Sequence, residues 1–321
     1  MLLSRIQLLS CIALMLASLA FAQNREVLGE YRIGIVGQDR EDSIYQATHL
    51  GALDAAHIIS KRDSIDIEIV VLTPDSSQGQ DQEGSLGKLF INDADGIIIS
   101  PGRETTTHSA IRFAQEQGQK IIFFESDLED IQPLASIVAD EYKAGMLAGQ
   151  TIKELLPSRG RIAILMATDP NPAQKERLRG IRNAIGYKTI EAIVQCEPNY
   201  FSAIEAIRKA EDEDRNDLIS GWVFLDDWPL IGMPAYPWKA GERPCVAIQS
   251  SPTAFMHIDQ GYLDALIVHP YYEWGRMSVE TLVGSLHNGK SPKSARMQTE
   301  PEVIDSLNIK DYRKKWHQWL R

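Results

Sequence analysis

The 321-residue sequence lacks the short motifs that identify several common classes of enzyme. It contains no GxSxG elbow, no phosphate-binding P-loop, no HExxH helix and no pair of cysteines at zinc-binding spacing. The glycine-containing stretch at 79–84 is a polar loop, because no strand-turn-helix pattern surrounds it as a dinucleotide site requires. The sequence therefore predicts a protein that is not an enzyme and that holds neither a metal ion nor a cofactor.

Basic residues and cysteines are also scarce. Lysine and arginine number 33 against 44 acidic residues, and the formal net charge is -11, which excludes nucleic acid and anionic membranes as main partners. Of the three cysteines, Cys196 is predicted to end one parallel strand and Cys245 to begin another. The two ends of a five-residue strand are about 16 Å apart, and a disulfide needs Cα atoms within about 7 Å. We therefore expect two unpaired, buried thiols.

Long apolar runs are absent beyond the N-terminus. Residues 8–22 are apolar and end in Ala20-Phe21-Ala22, a cleavage motif, so residues 1–22 are predicted to be a signal peptide that directs the chain to the periplasm. The run is short for a transmembrane helix. A lipoprotein site at Cys11 is the less favoured alternative, because this cysteine comes too early in the apolar core.

The stretch at 93–127 carries the clearest fold signal. An apolar run at 97–99 leads into a loop, then a segment at 105–117 with helical spacing, and then a second apolar run at 121–124. Gly118 has the place of a helix-ending glycine. Two apolar strands around an amphipathic helix predict a βαβ unit in a parallel sheet covered on both faces. Ligands of such sheets bind beyond the carboxyl ends of the strands, which places Glu125 and Ser126 at a candidate site.

The same alternation of strands and helices recurs along the whole chain and predicts an α/β fold with two doubly wound halves. Residues 128–139 are interpreted as a crossover between the halves, and residues around His269 as another. The predicted first lobe comprises 23–138 plus 270–297, and the predicted second lobe 139–269 plus 298–321.

Seven segments occur along the chain in a recognisable order and spacing. They are DADGIIISP, KIIFFESD, ASIVADEYKAGMLAGQTI, GRIAILMATDPNPAQKERLRGIRNAI, WVFLDD, CVAIQSSP and GYLDALIVHPYYEWGRMSVETLVGSL. Together they resemble the type I periplasmic sugar-binding proteins, the ribose and galactose class that serves ABC importers, over nearly all of the mature chain. The resemblance implies two Rossmann-like lobes, joined by three hinge crossovers, that close on one ligand.

The implied function is capture of a sugar or sugar-like small molecule for a membrane ABC permease, by a protein expected to act as a monomer. The alternative is a sensing protein of the same fold that signals to a membrane histidine kinase or a chemoreceptor. Genes for a permease and an ATPase beside this one would favour transport, and a histidine kinase gene would favour sensing.

The resemblance also implies a set of ligand-binding positions. The sugar binders usually have Asp-Arg after the fourth strand, where this chain has Glu125-Ser126, and an Asp where it has Gln249. A polyol requires planar acceptors and donors with an aromatic face beside them. Phe201 is a further candidate for that face. The full set of predicted ligand-binding residues is Asp42, Tyr45, Glu125, Ser126, Arg177, Asp226, Trp228, Gln249 and His269.

The charge balance of this set leaves a second class of ligand open. Three acids, Asp42, Glu125 and Asp226, stand against one arginine. Such a surplus of carboxylates also suits an amino sugar or another cationic ligand, which aromatic faces attract as well.

Overall fold

The structure is a computed structural model that describes residues 27–249 and 251–320. The predicted signal peptide at 1–22, with Cys11, lies outside these residues. Among the helices in the two described ranges, none is both long enough and apolar enough to cross a membrane.

The first sheet is entirely parallel. Its strands run in the spatial order β2-β1-β3-β4-β5-β11. The central strands are continuous apolar runs, such as GIII in β3, because helices cover both faces of the sheet and bury them. The strands are β1 (Glu30–Val36), β2 (Asp66–Val71), β3 (Gly96–Ile99), β4 (Lys120–Glu125), β5 (Ala135–Ala139) and β11 (Arg296–Thr299).

The second sheet repeats this spatial order as β7-β6-β8-β9-β10-β12, with only its edge strand β12 antiparallel. Cys196 ends β7, Cys245 begins β9, and both thiols are buried and unpaired, which confirms the prediction. The strands are β6 (Arg161–Ala167), β7 (Ile190–Cys196), β8 (Ile219–Phe224), β9 (Cys245–Ile248), β10 (Ala265–Val268) and β12 (Glu302–Asp305).

Helices cover both faces of each sheet, and polar caps fix where several of them begin. Asp42, Asn171 and Asn199 each accept a hydrogen bond from a backbone N–H of the helix that follows. The helices are α1 (Ser43–Asp63), α2 (Gln82–Ile91), α3 (Thr105–Glu116), α4 (Glu141–Leu155), α5 (Pro172–Ile185), α6 (Tyr200–Glu213), α7 (Ala254–Asp259), α8 (Tyr271–Asn288) and α9 (Ile309–Trp319).

The fold confirms the predicted two-lobed α/β architecture, and one assignment within it is wrong. Residues 128–139 were expected to form a crossover, but the five buried residues of β5 belong to the first sheet. The chain first passes from the first lobe to the second at Asp140, which caps α4. The strands β5 and β11 extend the first lobe to Ala139 and Thr299, one and two residues beyond the division proposed from the sequence.

Reciprocal glycines bring α1 and α8 of the first lobe into close contact. A Cβ atom on Gly51 would lie 1.9 Å from the carbonyl oxygen of Tyr272, and one on Gly275 would lie 1.8 Å from that of Thr48. Real Cβ atoms never approach this closely, so only glycine permits this helix separation.

The second lobe uses the same device between α4 and α5. A Cβ atom on Gly145 would lie 2.0 Å from the carbonyl oxygen of Arg177, and one on Gly180 would lie 2.1 Å from that of Tyr142. The close helix pair places the start of α4 beside Arg177, which matters for the site described below.

The C-terminal helix α9 joins the two lobes. Its Trp316 contacts Tyr271 of α8 and Phe255 of α7, with ring centroids 5.7 and 6.3 Å apart. Trp319 stacks on Tyr272 at 6.2 Å. Because α7 belongs to the second lobe and α8 to the first, this aromatic cluster lies where the two lobes meet.

Candidate functional site

A cleft lies between the carboxyl ends of the two sheets. Arg103, after β3, and Asp169, after β6, approach within 3.8 Å between Nη1 and Oδ2. Both side chains are mostly exposed, so this ion pair between the lobes stabilises their arrangement by at most about 1 kcal/mol. Ligands of parallel α/β sheets bind beyond the carboxyl ends of the strands, and this cleft is therefore the candidate binding site.

Two residues on its walls have strained backbone conformations at equivalent places in the lobes. Glu125 ends β4 with φ of 60°, and Gln249 follows β9 with φ of 77°. The strands β4 and β9 occupy the same position in their sheets. A left-handed conformation at a residue other than glycine costs on the order of 1–3 kcal/mol and persists mainly at functional sites. Of the six described residues other than glycine with positive φ, these two lie at equivalent strand ends on the cleft.

Glu125 is held on the first-lobe wall by two hydroxyl groups. Tyr45 Oη donates to Glu125 Oε2 at 2.8 Å, and Ser100 Oγ donates to the same oxygen at 2.6 Å. Gln38 Nε2 donates to the hydroxyl oxygens of Ser100 at 3.1 Å and Ser126 at 3.2 Å, which joins Ser126 to the group. Burial raises the pKa of Glu125 to about 7, although the two hydroxyl groups oppose the shift.

Arg177 forms the centre of the second-lobe wall. Its Nε and Nη2 donate to the Glu141 carboxylate at 2.6 and 2.8 Å, and its Nη1 donates to the Leu225 carbonyl at 2.7 Å and to Asp226 Oδ1 at 2.8 Å. A fifth bond runs from Nη2 to Gln249 Oε1 at 3.0 Å. A guanidinium has five N–H donors, so every donor of Arg177 already has an acceptor within the lobe.

The Arg177 charge decides the ionisation of Glu141. Burial alone would raise the pKa of this carboxyl, but the attraction of the guanidinium, together with that of His269, outweighs burial and holds the pKa well below its usual range. Arg177 itself is 3% exposed, and its own pKa is raised by Glu141 and Asp226 despite burial. The ion pair is therefore a permanent part of the wall.

The acids after β8 are less completely neutralised. Asp226 also accepts a hydrogen bond from Gln174 Nε2, yet burial raises its pKa even beside Arg177. Burial, with repulsion from Asp226 and from Asp42 across the cleft, raises the pKa of Asp227 to about 7. Asp42 caps α1, and burial raises its pKa too. Carboxylates of both lobes thus repel one another across the cleft.

His269 lies at the crossover that follows β10 and is 1% exposed. Its ring stacks on Trp274 with centroids 5.9 Å apart, and its Nε2 lies 3.4 Å from Glu141 Oε2. That distance is longer than an ordinary hydrogen bond but within reach of an ion pair when the imidazole is protonated. Among the described residues, neither ring nitrogen of His269 has a hydrogen-bond partner.

The predicted aromatic residues differ in how much of each side chain is exposed. Tyr45 forms a T-shaped contact with Phe124 at 6.1 Å and is 4% exposed, so little of its ring is open to a ligand. Phe201 is 81% exposed on α6. Trp228, next to Asp227, is half-buried in the short turn Trp228–Leu230 and packs against the hydrophobic core.

Sequence reasoning missed Glu141, Asp227 and Gln38. Glu141 escaped because the preceding residues were interpreted as a crossover, which hid that it directly follows a strand and its helix cap. Asp227 follows the same strand as the predicted Asp226, and the sequence contains no signal that both acids belong to the site. Gln38 lies two residues after the end of β1, and this place near a strand end was the available signal.

The raised pKa of Glu125 has a measurable consequence for the unliganded protein. Between the unfolded value of 4.5 and the folded value of about 7, the folded state keeps a proton that the unfolded state has lost. Stability therefore falls as pH rises through this window. We expect Glu125→Gln to remove that loss, so that its stability relative to the wild type increases from pH 5 to pH 8 in urea unfolding.

The comparison with wild type is needed because buried histidines act in the opposite sense. Burial lowers the pKa of His49 to about 4, so its contribution rises with pH up to its unfolded value of 6.5. Both proteins share this histidine, and its effect cancels in the difference. An unchanging difference between pH 5 and pH 8 would show that Glu125 is ionised throughout.

Comparisons with known proteins agree with this architecture. A family described as periplasmic binding protein domain matches residues 33–291. The periplasmic ribose ABC transporter structure from Conexibacter woesei aligns with a TM-score of 0.78 at 18% identity and covers 91% of this chain and 98% of that one. The arabinose-binding protein AraP from Geobacillus stearothermophilus aligns at 0.76 with 17% identity, covering 88% and 99%.

The fold is also shared with proteins of another class. A putative LacI transcriptional regulator from Bacteroides fragilis aligns with a TM-score of 0.72 at 16% identity, covering 88% of this chain and 99% of that one. No curated protein matches the sequence. At such low identities the structural matches establish the fold, and the ligand must be argued from the side chains of the cleft.

Proposed function

Because the chain belongs to the periplasmic binding protein domain family, we propose that it captures one sugar-like small molecule between its lobes and presents it to a membrane ABC permease. The observation that supports this function is the cleft itself, whose two walls bring polar side chains from the ends of equivalent strands. A ligand that contacts both walls stabilises the closed arrangement more than the open one, and this differential affinity drives closure. The protein would act in the periplasm as a monomer.

The predicted residues divide into two roles in this proposal. Asp42, Glu125, Asp226, Gln249 and His269 would contact the ligand, with Trp228 as the aromatic face and Ser126 at the edge. Arg177 and Tyr45 would act as positioning residues. Arg177 holds Glu141, Asp226 and Gln249, and Tyr45 holds Glu125. The ribose and arabinose named for two structural neighbours support a carbohydrate-like ligand.

A thermal-shift screen over monosaccharides and amino sugars tests the proposal. A ligand present at a hundred times its Kd stabilises the folded protein by about 2.7 kcal/mol. For domains of this size that corresponds to a rise in Tm of roughly 5–10 °C. We expect at least one compound to produce it, and small-angle scattering should then show a decrease in the radius of gyration.

Two variants make the screen specific for the cleft. Ser126→Trp places a large ring at the end of β4 and should abolish the thermal shift. Arg112→Ala removes a surface ion pair with Asp130 in the same lobe and should leave the shift unchanged. A shift that survives Ser126→Trp would place the ligand elsewhere and contradict capture in the cleft.

A further inference from the structure

The cleft contains more negative charge than its one arginine can balance. Carboxylates come from both lobes: Asp42 and Glu125 from the first, and Glu141, Asp226 and Asp227 from the second. Repulsion acts across the gap, since Asp42 raises the pKa of Asp227 and both Asp42 and Glu141 raise that of Glu125. The five acids therefore form one electrostatic group.

The one arginine of this group has no free hydrogen-bond donor for a ligand. All five donors of Arg177 bind acceptors of its own lobe, and its charge is matched by Glu141 and Asp226. No other lysine or arginine among the described residues forms an ion pair with any of the five acids, and Arg103 at the rim contacts Asp169. Five carboxylates against one guanidinium leave up to four negative charges in excess.

His269 supplies a second sign that a polar group is expected here. It is 1% exposed, its Nε2 faces Glu141 at 3.4 Å, within ion-pair distance, and its Nδ1 has no hydrogen-bond partner among the described residues. A buried polar group without a partner costs about 1–3 kcal/mol. A ligand with both hydroxyl and charged groups in the cleft can satisfy the imidazole and the acids together.

We propose that the ligand of this cleft is a small polyol that carries a protonated amine, as an amino sugar does. The amine would lie between Glu125 and Asp42 of the first lobe and Asp227 of the second, where it replaces mutual repulsion with attraction. Trp228, half-buried beside Asp227, offers a face that also attracts cations. The hydroxyl groups of the ligand would bind Gln249 and His269. This inference depends on the proposed function, because it names the ligand class of the same cleft.

Calorimetry with matched pairs of compounds tests the charge directly. D-Glucosamine and D-galactosamine are compared with D-glucose and D-galactose at pH 7 and low salt. We expect at least one amino sugar to bind about tenfold or more tightly than its neutral counterpart, since charge-assisted hydrogen bonds are roughly twice as strong as neutral ones. Raising the NaCl concentration should weaken its binding and leave that of a neutral sugar unchanged.

Variants of equal shape separate charge from hydrogen bonding. Glu125→Gln and Asp227→Asn should each weaken the amino sugar by about tenfold or more and bring it towards the neutral sugar. Glu68→Gln, which removes an exposed acid paired with Arg32 away from the cleft, is the matched control and should change nothing. Salt dependence of the wild-type protein serves as the readout if one of the cleft variants does not fold.

The outcomes distinguish this inference from the proposed function. Neutral sugars that bind as tightly as their amino counterparts overturn the cationic ligand and leave sugar capture standing. If ethanolamine or putrescine binds in the cleft and no sugar does, the cationic charge of the ligand is supported and its sugar-like character is overturned. If neither set of compounds raises the melting temperature or releases heat, both proposals fall together.

Discussion

Replacing Arg177 with methionine should lower the free energy of unfolding of the second lobe by about 3–5 kcal/mol. The variant leaves the Glu141 and Asp226 carboxylates in the wall of the cleft, 17% and 12% exposed, without the cation that neutralises them. It also removes the donor to the Leu225 carbonyl. A buried charge that loses its partner costs far more than the pair contributed, because its desolvation is no longer offset. Urea unfolding and Tm both measure the loss.

A neighbouring arginine on the same helix provides the control. Arg179 is 64% exposed and pairs with Glu176, so Arg179→Met should cost less than about 1 kcal/mol. A triple variant that combines Arg177→Met with Glu141→Gln and Asp226→Asn should recover most of the stability, since it leaves no unpaired charge. Equal losses of stability in Arg177→Met and Arg179→Met would show that the buried contacts of Arg177 contribute no more than an exposed ion pair.

Gly275→Leu should cost about 3 kcal/mol or more, at the upper end of overpacking effects. A Cβ atom there would lie 1.8 Å from the Thr48 carbonyl oxygen and 2.8 Å from the Ala52 backbone nitrogen. Both atoms are backbone, so no side chain can turn away, and α1 and α8 must separate. The separation would also strain the hydrogen bond from Thr48 Oγ1 to the Tyr271 carbonyl, which measures 3.0 Å.

Another glycine of α8 isolates the effect of the contact from that of helix propensity. No atom lies within 4 Å of a Cβ placed on Gly284. Gly284→Ala should therefore stabilise the protein by about 0.5–1 kcal/mol, because alanine is the better helix former. Thermal unfolding of the two variants should move in opposite directions. If Gly284→Ala destabilised the protein, the loss in Gly275→Leu could not be assigned to the contact with α1.

Local periodicity was enough to predict the two sheets. Runs such as 97–99 and 121–124 are buried on both faces, and only central parallel strands combine such runs with helices between them. β12 was missed, because four residues after a proline carry almost no periodic signal. β5 was misassigned for a related reason, since its five residues follow an acidic segment with a proline and no helix separates them from β4.

The site was predictable where a residue ends a strand and not where a role depends on distant partners. Glu125 was found because it directly follows an apolar run. Arg177 was singled out by family resemblance alone, since its helix contains other cations. That its five donors are all occupied depends on Glu141, Leu225, Asp226 and Gln249, which are up to 72 residues away. No local pattern in the sequence contains that information.

The helix pair α1 and α8 has a consequence for how the protein folds. Thr48 and Tyr271 are 223 residues apart in sequence, and most of the second lobe lies between them. Until α8 is available, α1 lacks its partner, and the edge of β5 that pairs with β11 stays open. The first lobe is therefore closed by long-range contacts, which make folding slower than local contacts do.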